Sequence, residues 1–214
     1  MILPDPLSIL RGIKECLTEY LDRKHKSINA THNEVIVRAF KDLETIHVDY
    51  TKHLSKLRDN LVDESLPPRE LIRWWRDTGL QLRHLRENVS SIEEDLKLFE
   101  TKLPRGNDKE GNFYWECYQF AVSVLQYLKT TISPAQLSFY RDFEMQLSSV
   151  LSALESGAIE SEVLKRIFYS REEVRDLVPE LLTITDRVLP ERWRNVSAHY
   201  RRVSAAAGHP SAVA

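Results

Sequence analysis

Glycine is scarce in this chain, with 6 in 214 residues. Sandwiches and barrels need many tight turns, so the scarcity argues against an all-β fold. Cysteine is nearly absent too. Cys16 and Cys117 stand far apart in sequence and lack metal-ligand spacing. That excludes a disulfide scaffold or zinc ribbon and predicts two buried thiols in a reducing cytosol. Charge of one sign is not in excess: 30 basic residues face 32 acidic ones, a net charge of -2. No global field draws the chain to nucleic acid or anionic membrane, so any polyanion contact must come from a local patch.

No apolar run is long enough to span a bilayer. The start, Met1-Ile2-Leu3-Pro4-Asp5-Pro6, has no basic region followed by an apolar stretch, so no signal peptide is expected. A cytoplasmic protein without a membrane partner follows as the expectation. Asn29-Ala30-Thr31, Asn88-Val89-Ser90 and Asn195-Val196-Ser197 match the glycosylation pattern, but without secretion they read as chance matches. The sequence has no phosphate-binding glycine loop, no nucleophile elbow and no suggestive carboxylate pair. His25, His32, His53 and His84 form no metal spacing. Asp49 and His53 share a helix face, but two ligands are fewer than zinc needs. No cofactor and no metal are expected.

What is present is helical periodicity. Asp5 is placed as an N-cap with Pro6 in the first turn, followed by Leu10, Ile13, Leu17 and Leu21 at helical spacing. This helix is expected to fade near Lys24-His25-Lys26, where cations suit a C-terminus. Ile36, Phe40, Leu43, His47, Tyr50, Leu54, Leu57 and Leu61 alternate spacings of four and three. That is an apolar seam of period 3.5. A third helix, opened by Pro67-Pro68, carries Leu71, Trp75, Leu82, Leu85, Val89, Ile92, Leu96 and Phe99. The second and third helices are expected to pair as a long antiparallel hairpin.

Leu103-Pro104-Arg105-Gly106-Asn107-Asp108 is the best linker. It divides N-terminal helices, including the hairpin (1–103), from a C-terminal helical bundle (108–206), which a disordered tail follows (207–214). Within the bundle, Phe113 to Leu128 form a fourth helix and Ser133-Pro134 opens a fifth. A short helix spans Val163 to Phe168. Ser170-Arg171-Glu172-Glu173 reads as a capping box for a helix that Pro179 kinks or divides. Pro190 is placed at the start of the last helix, Glu191 to about Ala206. The fold class is all-α.

That last helix holds the chemistry-bearing segment, Arg194-Asn195-Val196-Ser197-Ala198-His199. An arginine is always cationic and grips two phosphate oxygens at once. A histidine titrates near neutral pH and moves protons. An arginine, four residues and a histidine, with Asn195 in the polar slot after the arginine, resembles the motif of the HEPN superfamily (higher eukaryotes and prokaryotes nucleotide-binding domain). The likeness covers this motif and the helical character of residues 108–206. Many members of that superfamily are metal-independent ribonucleases, often of prokaryotic toxin or antiviral systems. The resemblance implies proton transfer by His199, phosphate stabilisation by Arg194 and orientation by Asn195. Arg192, Arg201 and Arg202 form the surrounding basic patch, with Glu191 as its one nearby acid, and are expected to bind RNA. Five residues along a regular helix turn about 140°, so such a site requires a helix start, a distortion or a second subunit.

The other class of function is a non-enzymatic helical scaffold that uses the heptad seams to hold a partner or a second copy. His47 in the seam reads as a packed, hydrogen-bonded core histidine. Trp74-Trp75 point to different faces, one of them a candidate partner surface. Phe113 to Phe120 is aromatic on every side and reads as a helix buried on several faces. Together the seams and this segment predict a homodimer or an obligate protein partner.

Overall fold

In the computed structural model, which describes residues 5–24, 26–64, 88–104, 108–130, 161–170 and 172–209, the chain is all-α, with a helical hairpin and C-terminal helices. Among the described residues 90% are helical and none is in a strand. The helices are α1 (Pro6–Leu21), α2 (Ile28–Thr31), α3 (Val37–Val62), α4 (88–102), α5 (Lys109–Thr130), α6 (Ser161–Tyr169), α7 (Glu172–Thr183) and α8 (Leu189–Ala207). The expected fifth helix from Ser133 and the Trp74-Trp75 pair lie outside the described residues. So does the expected opening of the third helix at Pro67-Pro68.

Local chemistry sets the helix ends. The Asp5 carboxylate accepts a hydrogen bond from the Leu7 amide at 3.1 Å, and Pro6 occupies the first helical position. Asp5→Ala should therefore cost about 1 kcal/mol in urea unfolding, the usual worth of an N-cap. Helix α1 ends earlier than expected, at Leu21, because Arg23 turns the chain with φ 56. The amides of Asp22, Arg23 and Lys24 then close onto the last carbonyls of the helix. Ser27 caps α2, and a π turn at His32–Ile36 leads straight into α3.

Two compact units share the chain. The first is Met1–Tyr50, Leu85–Thr131 and Leu189–Ala214; the second is Thr51–His84 and Ile132–Val188. Their segments alternate along the sequence, so residues 103–108 fall within the ranges of the first unit rather than between domains.

In the first unit α5 lies along α8. Tyr127 meets Trp193, Phe120 meets Tyr200, and Gln126 meets Arg192. Rising numbers on α5 match falling numbers on α8, so the pair is antiparallel. Helix α1 packs on α5, with Tyr20 stacked on Tyr114 at 4.1 Å. Lys14 pairs with Asp95, and Lys129 with Glu93 at 2.6 Å, which tie α4 to α1 and to α5. The seam faces inward: Ile36 at the end of the π turn and Phe40 and Leu43 of α3 are buried, and Ala39 and Ile46 widen the stripe beyond strict heptads. Val89, Ile92, Leu96 and Phe99 of α4 are buried as well. Phe113, Tyr114, Cys117, Tyr118 and Phe120 are all buried within the chain.

In the second unit, α6 leads to α7, and Pro179 lies inside α7 without dividing it. Helix α7 runs into a π turn at Ile184–Val188 that continues directly as α8. Pro190 therefore sits within a continuing helix and does not start one. A proline clashes with the carbonyl four residues back, and the extra residue of a π turn is a known way to relieve that crowding. Arg58 of α3 grips this turn, donating to Asp186 at 3.0 Å and to Thr185 at 3.3 Å.

Candidate functional site on helix α8

Helix α8 has three sides with different jobs. Its inner side, Leu189, Trp193, Val196, Tyr200, Val203 and Ala207, follows spacings of three and four. Leu189, Val196 and Val203 are 0% exposed, so this side is fully committed to the core. Trp193 and Tyr200 build a run of stacked rings with α3. Tyr200 stacks on Phe40 at 3.9 Å, Phe40 on Trp193 at 5.6 Å, and Trp193 on His47 at 4.2 Å. His47 closes the run with a 2.8 Å hydrogen bond between Nδ1 and the Tyr127 hydroxyl. Burial pushes the Tyr127 phenol well up, so it stays protonated, and pushes His47 down. His47 is the packed, hydrogen-bonded seam residue that the periodicity predicts.

The outer side carries the basic residues. Arg194 and Arg201 are exposed, and each folds its Nε back onto the carbonyl four residues earlier, Pro190 and Ser197, at 3.4 Å. Arg202 and Asn195 are exposed too. Arg192 is half-buried and donates to the Gln126 amide oxygen at 3.1 Å. Among the described residues, none of these four arginines has an ion-pair partner, and Glu191 is the only acid on α8. Unpaired guanidinium groups concentrated on one helix make the local patch that the overall charge does not.

His199 lies on the edge between the two sides. It is half-buried, and its Nδ1 is shut off from solvent without a hydrogen-bond partner among the described residues. Burial, helped by the charge of Arg202, pushes its pKa down. The ring is therefore neutral at pH 7 and able to accept a proton. No hydrogen bond among the described residues joins Arg194 or Asn195 to His199. The segment lies inside a regular helix, past the π turn, so neither a helix start nor a distortion folds Arg194 onto His199. Within one chain the two stay on different sides of α8.

Two other arrangements look chemical. His32 Nε2 meets Ser204 Oγ at 3.1 Å, while its Nδ1 meets Asn33 at 3.2 Å and its ring stacks on His209 at 5.0 Å. A serine beside a histidine is a nucleophile–base pair in form. Here Ser204 is 3% exposed and His32 is 4% exposed, so no substrate reaches the hydroxyl, and the contact serves to lock α8 to the π turn. Cys16 and Cys117 are free and buried. Burial, with Glu19 nearby, pushes the Cys16 thiol up to about 12, and burial pushes Cys117 up as well. Both remain unreactive thiols at neutral pH.

His32, His47 and His199 all have depressed pKa values, each chiefly through burial. The sign follows directly. A histidine that is harder to protonate folded than unfolded contributes stability above its unfolded pKa of about 6.5 and loses it as pH falls. The urea midpoint should accordingly be lower at pH 5.5 than at pH 7.5. His47→Gln should flatten part of that slope. A midpoint that holds or rises on acidification contradicts the placement of these rings.

No family model, curated protein or solved structure matches the chain. No described helix is long and apolar enough to cross a membrane.

Proposed function

We propose that this protein binds RNA through the phosphate backbone, with basic residues of α8 as the contact. The observation that carries this reading is the set of four arginines on α8 without an ion-pair partner among the described residues, in a chain whose charge is otherwise balanced. Guanidinium groups match phosphate geometry and keep their charge at every physiological pH. The reading agrees with what the HEPN resemblance implies. The scaffold reading has less support: Phe40 and His47 of the α3 seam are occupied by rings of α8 and α5, so this part of the seam is not free for a partner.

Titration of a labelled single-stranded RNA at several salt concentrations tests the proposal. Affinity should fall as salt rises, with a log–log slope between about -1.4 and -2.8, corresponding to two to four neutralised phosphates. Absence of binding at low salt, or binding indifferent to salt, contradicts it.

A second reading, metal-independent RNA cleavage, is favoured by one observation: a half-buried imidazole, His199, whose pKa burial pushes down, on the helix that carries the arginines. On this reading His199 takes the proton of a 2′-hydroxyl and an arginine stabilises the phosphate charge. Because Arg194 and His199 do not meet within one chain, a site made from both requires two copies. Cleavage should proceed in excess chelator and leave 2′,3′-cyclic phosphate ends. His199→Ala should remove about 10²-fold or more of the rate. Cleavage that survives both His199→Ala and Arg194→Ala rules this site out.

A further inference from the structure

The basic residues of α8 do not form one surface. At about 100° per residue, Arg192, Asn195, His199 and Arg202 recur at spacings of three, four and three and share about 80° of arc. Arg194 and Arg201 form another row, roughly 140–160° round the helix from His199. Independent observations support the division. Arg192 reaches Gln126, so its edge of α8 borders α5. Gln119 lies seven residues before Gln126 on α5, at the level of His199 in the antiparallel pairing, and is partly exposed. Arg202 acts electrostatically on His199, whereas Arg194 turns back to Pro190.

We infer that Arg192, Asn195, His199 and Arg202 form one phosphate-binding strip along the α5 edge of α8, sized for consecutive phosphates of a single-stranded RNA. The inference rests on the RNA-binding reading and assigns its contact to this edge. It replaces the Arg194–His199 pairing with neighbours that the helix puts on the same side as the imidazole. The strip runs about 15 Å from Arg192 to Arg202, ten residues at 1.5 Å each. One phosphate cannot bridge that distance; a chain of them can. The two arginines hold the ends by charge. Between them Asn195 and His199, with the amides of Gln119 and Gln126 alongside, offer hydrogen bonds to sugar hydroxyls and base edges. A bare acidic surface would not use those groups. Glu116, also on α5, has a buried oxygen without a hydrogen-bond partner among the described residues.

The test compares two double variants of the full chain, Arg192→Gln/Arg202→Gln and Arg194→Gln/Arg201→Gln, in RNA titrations with His199 ring resonances recorded alongside. The first pair should weaken binding about tenfold or more and reduce the salt slope by about 1.4. The second, which removes only diffuse charge, should cost about threefold or less. Arg192→Lys/Arg202→Lys should keep most of the slope. In the free protein, Arg202→Gln should raise the His199 titration midpoint and Arg194→Gln should leave it in place. RNA should shift the His199 resonances of the wild type. If the wild type binds no RNA, the functional reading fails, while a His199 midpoint that moves with Arg202 still upholds the grouping. If RNA binds but the Arg194/Arg201 pair carries the larger loss, or His199 does not shift, the strip is wrong and the reading survives. Displacement of RNA by a polyglutamate peptide as effective as unlabelled RNA would assign the strip to acidic protein and overturn it.

Discussion

Phe120→Ala should lower the unfolding free energy by about 3–5 kcal/mol, the usual cost of deleting a fully buried aromatic ring. Phe120 is 0% exposed and sits where α5 crosses α8, against Tyr200. Its ring packs against Tyr200, one end of the run of stacked rings. Removing it leaves a cavity that the surrounding helices can close only partly. At about 2–4 °C per kcal/mol for a chain of this size, the melting temperature should fall by roughly 6–20 °C. Calorimetry or a thermal circular dichroism scan measures this. A loss under about 1 kcal/mol would mean that α5 and α8 do not pack as described.

The second large effect concerns charge. Replacing Arg192, Arg194, Arg201 and Arg202 together by glutamine should weaken single-stranded RNA binding by about 30-fold or more at low salt and bring the salt slope close to zero. The fold should be unharmed, because none of the four side chains is buried and none holds an ion pair among the described residues. Unfolding midpoints of variant and wild type should agree within about 0.5 kcal/mol, as is usual for surface substitutions. Loss of RNA binding together with loss of structure would leave the arginines without a specific role. Retained binding would place the contact elsewhere on the protein.

How far the sequence discloses this depends on the residue. Asp5 and Pro6 announce the start of α1 because a cap and a proline act locally, through backbone groups within three residues. The burial of Ile36, Phe40 and Leu43 is equally plain from periodicity, which reports that a face is covered. It does not report by what. The seam suggests a long partner helix, and for Phe40 and His47 the cover is Trp193 and Tyr200 of a helix 150 residues further on. The arginines interspersed with those two rings obscure the apolar stripe to which they belong. Their own signal is simple: Leu189, Trp193, Val196, Tyr200, Val203 and Ala207 keep helical spacing.

The π turns are hidden for a different reason. They change which carbonyl an amide meets without changing composition, so His32–Ile36 and Ile184–Val188 look like ordinary helix. Pro190 misleads for the same reason, since its usual place is a helix start. The Arg194–His199 motif is defined by its linear spacing, and on a regular helix that spacing separates its two ends by about 140°. A helix reads spacing as angle, and the angle groups His199 with Asn195 and Arg202. His32 and Arg58 carry no site signal in the sequence. Their partners, Ser204, Thr185 and Asp186, are far away in sequence and carry no motif.

Photocrosslinking tests the central claim most directly. Single-stranded RNA carrying a zero-length photoreactive base, bound at low salt and irradiated, should attach to peptides that contain Arg192 to Arg202 or the facing stretch of α5 from Gln119 to Gln126. Raising salt should remove those adducts in step with affinity. Adducts concentrated on α1, α4 or α6, with α8 unmarked, would contradict the assignment of α8 as the RNA-binding surface.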